Sequence, residues 1–135
     1  MFYWNNQVRH YEVDQQNIVN NAIYLNYLEQ ARAEFIANSS LDLDAYEQMG
    51  YHFVVAKITI EYKRSLFAKD NMQVSVEISE ITDKRIIFHQ QIIKQDTKKL
   101  VTEAYIEIAC MNIKTRRSDM PDHIKNDIAL LIKTQ

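Results

Sequence analysis

The sequence predicts an α+β protein in which an antiparallel sheet of about five strands wraps around one long helix. Three observations predict it. Between Asn21 and Asn38 the apolar residues recur at helical spacing. Beyond Gly50, successive segments alternate apolar and polar residues with a period of two. The order is strand, long helix, then four strands with short polar connections, which suits hairpins on one face of a helix.

The first strand is read in the run from Phe2 to Val13, where aromatic and β-branched residues alternate raggedly with polar ones. A polar loop follows. Asn20 or Asn21 then supplies an N-cap, because the asparagine side chain accepts a bond from an orphan helix N–H. Tyr24, Leu28, Ala31 and Phe35 form one apolar stripe, and Glu29 and Arg32 are expected to pair at i,i+3 on a more polar side. After Asn38-Ser39-Ser40 a short second helix covers about Asp44 to Met49, with Gly50 as its C′ residue.

The strands come next. Val54, Ala56, Ile58, Ile60 and Tyr62 alternate with Val55, Lys57, Thr59, Glu61 and Lys63. Met72, Val74, Val76 and Ile78 alternate with Gln73, Ser75, Glu77 and Ser79. Arg85 to Lys94 is apolar on both sides, as in a central or interface strand. Leu100 to Ile113 is the last long strand, and Tyr105, Met111 and Ile113 make its second face partly apolar. Thr82-Asp83-Lys84 and the run Gln95 to Lys99 are the hairpin connections. A short C-terminal helix with Ile124, Ile128 and Leu131 follows Pro121. With one sheet face under the long helix, the other needs cover, and a partner subunit is the expected source.

The chain of 135 residues fits a single domain, residues 1–135, large enough to bury a core. A formal net charge of -2 excludes broad attraction to nucleic acid or anionic membrane. The sole cysteine, Cys110, leaves no intramolecular disulfide, and no long apolar run or signal-peptide pattern occurs, so a cytoplasmic location is expected. One glycine and one proline exclude the glycine-rich phosphate loops of nucleotide-binding folds.

The chemistry concentrates in Tyr11 to Tyr24. A β-type run ends at a lone carboxylate, Asp14, and a double asparagine then opens the helix. Free N–H groups at a helix start favour negative charge, including charge that develops on a carbonyl oxygen under attack. Asp14 is also the residue type that ends strands and accepts loop N–H bonds, and capping alone accounts for Asn20 and Asn21. His10, His52, His89 and Cys110 have no metal-ligand spacing, and Cys110 reads as a small buried hydrophobe.

The run Asp14-x-x-Asn17-Ile18-Val19-Asn20-Asn21-Ala22-x-Tyr24-x-x-Tyr27-x-Glu29-x-Ala31-Arg32 resembles the hotdog-fold thioesterases. These include the 4-hydroxybenzoyl-CoA type, the acyl-CoA thioester hydrolases associated with the Tol-Pal system, and the plant acyl-ACP thioesterases. The usual pattern in one branch is Asp-x-x-Gly-His-Val-Asn-Asn-x-x-Tyr. The likeness continues through Tyr62-Lys63-Arg64, Arg85 to Phe88, and Lys114 to Arg117. It implies a hotdog fold and hydrolysis of an acyl-CoA or acyl-ACP to a carboxylic acid and a thiol. By the resemblance Asp14 is the catalytic base or nucleophile, and the Asn21 backbone N–H polarises the thioester carbonyl.

Candidate substrate contacts are Asn20, Tyr24, Lys63, Arg64, Arg116 and Arg117, the basic ones for CoA phosphates. Tyr24 and Tyr27 also read as packing or interface residues, Glu29 as the partner of Arg32 and Glu34 as a solvated acid, although some hotdog thioesterases use a helix glutamate as base. No metal or cofactor is implied, since coenzyme A is part of the substrate. The family works as homodimers or homotetramers with acyl sites between subunits. Two positions depart from the pattern: the loop glycine is Asn17, which reaches the left-handed region, and the histidine is Ile18. The rival readings are a non-catalytic acyl-thioester binder and, last, a dehydratase, which needs a histidine near the helix start.

Overall fold

Short connections decide the sheet. In the computed structural model, which describes all of residues 1–135, β3 (Asn71–Ile81), β4 (Arg85–Lys94) and β5 (Leu100–Asn112) pair in succession as antiparallel neighbours. Connections this short permit no other pairing. β2 (Tyr51–Tyr62) lies on the far side of β5 and β1 (Phe2–Gln7) on the far side of β3, giving the order β1-β3-β4-β5-β2. A two-residue strand, β6 (Arg117–Ser118), turns back onto the end of β5. α1 (Asn21–Ala37) packs on one face, with α2 (Leu43–Gln48) and α3 (Asp122–Thr134) beside it. No helix is long and apolar enough to cross a membrane.

Register shifts interrupt the ladders between Val55 and Lys57, between Ile78 and Glu80, and between Ile92 and Ile93. Each extra residue bends its strand, so the sheet curves about the helix. The stripe of α1 behaves as its spacing predicts: Tyr24, Leu28, Ala31 and Phe35 are buried, joined by Tyr27. They meet Met72, Val74 and Val76 of β3 and Phe88 and Ile92 of β4 in one core cluster. Full burial of a side chain such as Leu28 contributes about 1.5–3 kcal/mol. At the bulge in β3, Gln135 bonds both backbone groups of Ile78, at 2.8 Å each.

The first strand is shorter than its composition suggests. It stops at Gln7, and His10–Glu12 form a single turn of 3-10 helix. The cause is polar. Glu12 accepts from the Arg9 N–H at 2.8 Å and from the Tyr27 hydroxyl at 2.8 Å, which holds the backbone out of the ladder.

The other sheet face lies opposite α1. That face carries its own polar network rather than a bare apolar surface. His89 lies between Glu77 (3.0 Å) and Glu103 (2.9 Å), with Tyr105 stacked on its ring and Gln91 donating to Glu103. Arg85 pairs with Glu107 at 2.8 Å. The edge strand β2 carries exposed apolar residues at Val54, Val55, Ile58 and Tyr62.

The network couples stability to pH. Burial alone would lower the His89 pKa, but its bonds to the two carboxylates outweigh burial and raise it. The hydrogen bond from His89 lowers the Glu103 pKa. The His89 contribution is full below the unfolded histidine value and is lost as pH rises through the raised one. The Glu103 contribution is full above the unfolded carboxylate value and is lost as pH falls through the lowered one. The network is therefore strongest between about pH 4.5 and 6.5. Thermal unfolding of His89→Gln against wild type should show its largest destabilisation in that window and a shrinking one towards pH 9. A difference that is flat from pH 5 to 9 contradicts this account.

Candidate active site

The loop after Val13 is a closed hairpin. Val13 and Val19 form an isolated antiparallel bridge, and the Asp14 N–H donates to the Ile18 carbonyl at 2.9 Å. The Asn17 N–H returns to the Asp14 carbonyl at 3.0 Å, with Asn17 at φ 66. Asparagine tolerates this left-handed conformation, so it serves where the family pattern has glycine. Asp14 Oδ1 accepts from the Gln16 N–H (2.8 Å) and the Ile18 N–H (3.3 Å). These bonds fix the carboxylate, while Oδ2 has no partner within the chain and the residue is exposed. Ile18 thus supplies two main-chain contacts to Asp14, and its backbone also bridges to Phe67. Loss of the imidazole at this position leaves those duties untouched.

The helix start is capped by Asn20. Its side chain accepts from the Ala22 N–H at 3.0 Å, and its carbonyl accepts from the Ile23 N–H at 2.9 Å. Its own N–H donates to the Glu12 carbonyl at 3.1 Å. Asn20 is therefore occupied as a cap. The Asn21 N–H donates to no group in the chain. One free donor consequently remains at the positive end of a 17-residue helix.

Aromatic residues lock this end in place. Tyr24 is buried, its hydroxyl accepts from the Leu66 N–H at 3.0 Å, and burial raises its pKa. The Tyr62 ring meets it edge-on at 5.4 Å and the Tyr62 hydroxyl donates to the Asn21 carbonyl at 3.3 Å. Tyr24 therefore belongs to the frame of the site, with one lone pair of its hydroxyl engaged by Leu66.

Further along α1 the expected Glu29–Arg32 pair is absent. Arg32 donates to Gln90 Oε1 at 3.0 Å, while Gln90 Nε2 donates to the Leu28 carbonyl at 3.1 Å. Gln90 is wholly buried and needs both bonds, which draws the guanidinium inward and leaves Glu29 exposed. Sequence reading passed over Gln90, although it stands in an apolar phase with Ile86, Phe88 and Ile92. An apolar cavity of about 580 Å³, which no sequence signal marks, lies beside the second half of α1, walled by Ile36, Phe53, Phe88, Ile108 and Ile128, with Arg32 at its side. Cys110 is buried, which pushes its thiol up to about 11, far from a reactive thiolate.

The basic candidates do not form one cluster. Lys63 (paired with Glu61) and Arg64 (bonded to the Leu100 carbonyl) follow Tyr62, next to the helix start. Lys114, Arg116 and Arg117 lie at the turn into β6, beyond the opposite end of β5. Tyr62 pairs with Thr102 and Tyr51 with Asn112, so the two groups are separated by up to about 33 Å of strand. Arg117 lines a small polar cleft there with Asn112, Thr115, Ser118 and Asp119.

With an acid holding one oxygen free and an unpaired N–H seven residues later, the arrangement suits attack on a carbonyl. Known proteins resemble this chain along most of its length. The thioesterase-like superfamily pattern matches residues 8–128. The long-chain acyl-CoA thioesterase FadM of Escherichia coli (strain K12) is 32% identical over 115 residues, covering 83% of this chain and 84% of that protein. The chloroplastic acyl-acyl carrier protein thioesterase ATL2 of Arabidopsis thaliana is 30% identical over 120 residues, and the match covers 89% of this chain but only 64% of the plant protein. Among solved structures, YbaW, a probable thioesterase from Escherichia coli, superposes with a TM-score of 0.87 at 26% identity, over 98% of this chain and 99% of that one.

Removing the cap should weaken the frame by a known amount. Asn20→Ala is expected to lose about 1 kcal/mol of stability in urea unfolding, the usual worth of an N-cap. A variant as stable as wild type would mean that the Asn20 side chain does not hold the helix start.

Proposed function

Because the chain belongs to the thioesterase-like superfamily, with a hotdog arrangement of helix and sheet, we propose that it hydrolyses an acyl-CoA or acyl-ACP thioester through Asp14 and the Asn21 N–H. One observation carries the residue assignment: the cap satisfies Ala22 and Ile23 and leaves the Asn21 N–H unspent. A thioester oxygen accepting from that N–H gains charge as the carbonyl is attacked, and the helix dipole favours that charge. One donor of this kind is worth about 3–4 kcal/mol.

Asp14 Oδ2 then has two routes. It attacks the carbonyl to give a mixed anhydride, which water cleaves, or it takes the proton of an attacking water. In both the C–S bond breaks and coenzyme A or the carrier leaves as thiolate. Thiols ionise at about pH 8.5, so the leaving group departs without a proton from a histidine. This gives a physical reason why Ile18 is compatible with turnover. No metal or redox step enters the scheme, and coenzyme A belongs to the substrate.

A homodimer joined through β2 fits the surface. Two copies paired antiparallel along this edge would each bring the β5–β6 turn beside the Tyr62 end of the other. Arg116 and Arg117 of the partner subunit would then stand near Lys63 and Arg64, so that the CoA phosphates meet cations from both chains. The exposure of Val54, Val55 and Ile58 supports this edge as the interface. A non-catalytic acyl-thioester binder is favoured by one observation, Ile18 in the histidine position. Tight acyl-CoA binding without thiol release would decide for it.

Two substitutions separate the roles. Asp14→Ala should lower kcat by at least about 100-fold with circular dichroism unchanged. Undiminished thiol release on every thioester tested would remove Asp14 from the mechanism. Asn21→Pro deletes the N–H while keeping the helix, since proline is favoured at the first helical position and Asn20 already has φ -63 and ψ 140. It should lower kcat about 10²–10³-fold with stability nearly unaltered. A variant that keeps wild-type kcat would show that the oxyanion donor lies elsewhere.

A further inference from the structure

The limb that carries Asp14 into the site is bonded to α1 at two points, and both lie on one residue. Of the hydrogen bonds made by residues 9–14, those of Asp14 itself stay within its own loop, at Gln16, Asn17 and Ile18. Two others reach the helix. The Asn20 N–H donates to the Glu12 carbonyl at 3.1 Å, and the Tyr27 hydroxyl donates to Glu12 Oε1 at 2.8 Å. The same Oε1 accepts from the Arg9 N–H, so one carboxylate oxygen closes the turn before Asp14 and fastens that turn to the helix.

The bonds inside the loop fix its shape and leave its placement against the helix to Glu12. Two points fix a direction, where one gives only a pivot. Asn20 and Tyr27 are about 10 Å apart along the helix. Without the Tyr27 bond the limb is free to swing about the Asn20 bond. Val13 is extended (φ -101, ψ 154), so Asp14 stands about 7 Å beyond Glu12. A swing of roughly 10° then shifts Asp14 by about 1 Å, and a misplacement of that size can cost about 10²-fold in rate.

The pair is arranged to stay bonded. Tyr27 is buried and Glu12 half-buried. Burial, and after it the bond to Glu12, raises the Tyr27 pKa, so the hydroxyl keeps the proton it donates. A buried hydroxyl deprived of its acceptor is costly, which holds the bond closed. A second bond of the same kind serves as a comparison within the molecule. Tyr46 on α2, also buried, donates to Asp127 on α3 at 2.5 Å. Neither of those helices carries Asp14 or Asn21.

We propose that Glu12 is a positioning residue: by gripping the Tyr27 hydroxyl, its side chain sets where the Asp14 carboxylate stands relative to the Asn21 N–H. Glu12 acts through Asp14 and takes no part in the bond changes. The effect on rate rests on the reading of Asp14 and Asn21 as the reacting groups, while the grip rests on the hydrogen bonds alone.

Tyr27→Phe removes the hydroxyl and keeps the ring, and Tyr46→Phe does the same at the comparison bond. In thiol-release assays Tyr27→Phe should lower kcat at least about tenfold with KM within about twofold of wild type. Tyr46→Phe should leave both within about twofold. Glu12→Ala should match Tyr27→Phe, and the double variant should be no slower than either. Glu12→Gln, whose amide oxygen still accepts, should recover kcat to within about threefold of wild type. Equal kcat in Tyr27→Phe and Tyr46→Phe overturns the positioning role, as does a Glu12→Gln enzyme as slow as Glu12→Ala. Amide hydrogen exchange reads the grip without turnover. The Asn20 N–H should exchange at least about tenfold faster in Tyr27→Phe than in either wild type or Tyr46→Phe. An unchanged rate overturns the grip. Failure of every thioester to release thiol would instead defeat the hydrolase reading, and the exchange rates would still decide whether Glu12 holds the limb.

Discussion

The structure depends on where the first turn of α1 is held. Three segments meet the start of the helix, through four polar bonds. Glu12 receives the Asn20 N–H and the Tyr27 hydroxyl, Leu66 bonds to Tyr24, and Tyr62 reaches the Asn21 carbonyl. Such bonds are individually modest, near 1 kcal/mol, but together they over-determine one helix end. An oxyanion donor is useful only if it is held to within a fraction of an ångström, so this redundancy suits the proposed chemistry. The outcome is a turn whose donors are all engaged but one.

The interior shows a compromise between packing and space. α1 touches β1 and β3 closely and leaves the side towards β5 and β2 open. Empty apolar volume weakens a fold, because its walls lose contacts. Part of that loss is offset by the Arg32–Gln90–Leu28 chain of bonds, which ties the helix to the central strand without filling the gap. A buried glutamine at the centre of a sheet is costly unless fully bonded, and here both ends of its amide are engaged.

Local pattern revealed the local features of this protein. The cap at Asn20, the stripe from Tyr24 to Phe35, the long strands and the terminal helix depend on neighbours within a few residues, and spacing carries that information. The left-handed Asn17 was legible for the same reason. What sequence hid depends on distant partners. Phe2 to Val13 is strand-like throughout, but Glu12 finds Tyr27 and the strand stops early. Arg32 stands three residues from Glu29 yet bonds to Gln90, fifty-eight residues away. The basic residues look like one group on paper because spacing says nothing of which end of β5 each occupies. The cavity was illegible altogether, since a space is defined by residues from several elements at once.

The edge strand β2 has a consequence for the company it can keep. An open edge with exposed valines and isoleucine invites any extended chain to pair with it, and most proteins guard such edges against promiscuous assembly. Here the ladder breaks its register between Val55 and Lys57, and Lys57 places a charge at the break. A foreign strand of uniform pleat would lose phase there, and its side chains beyond the break would face the wrong side. The irregularity therefore works against pairing with a strand of uniform pleat, in the way a bulge protects an open edge.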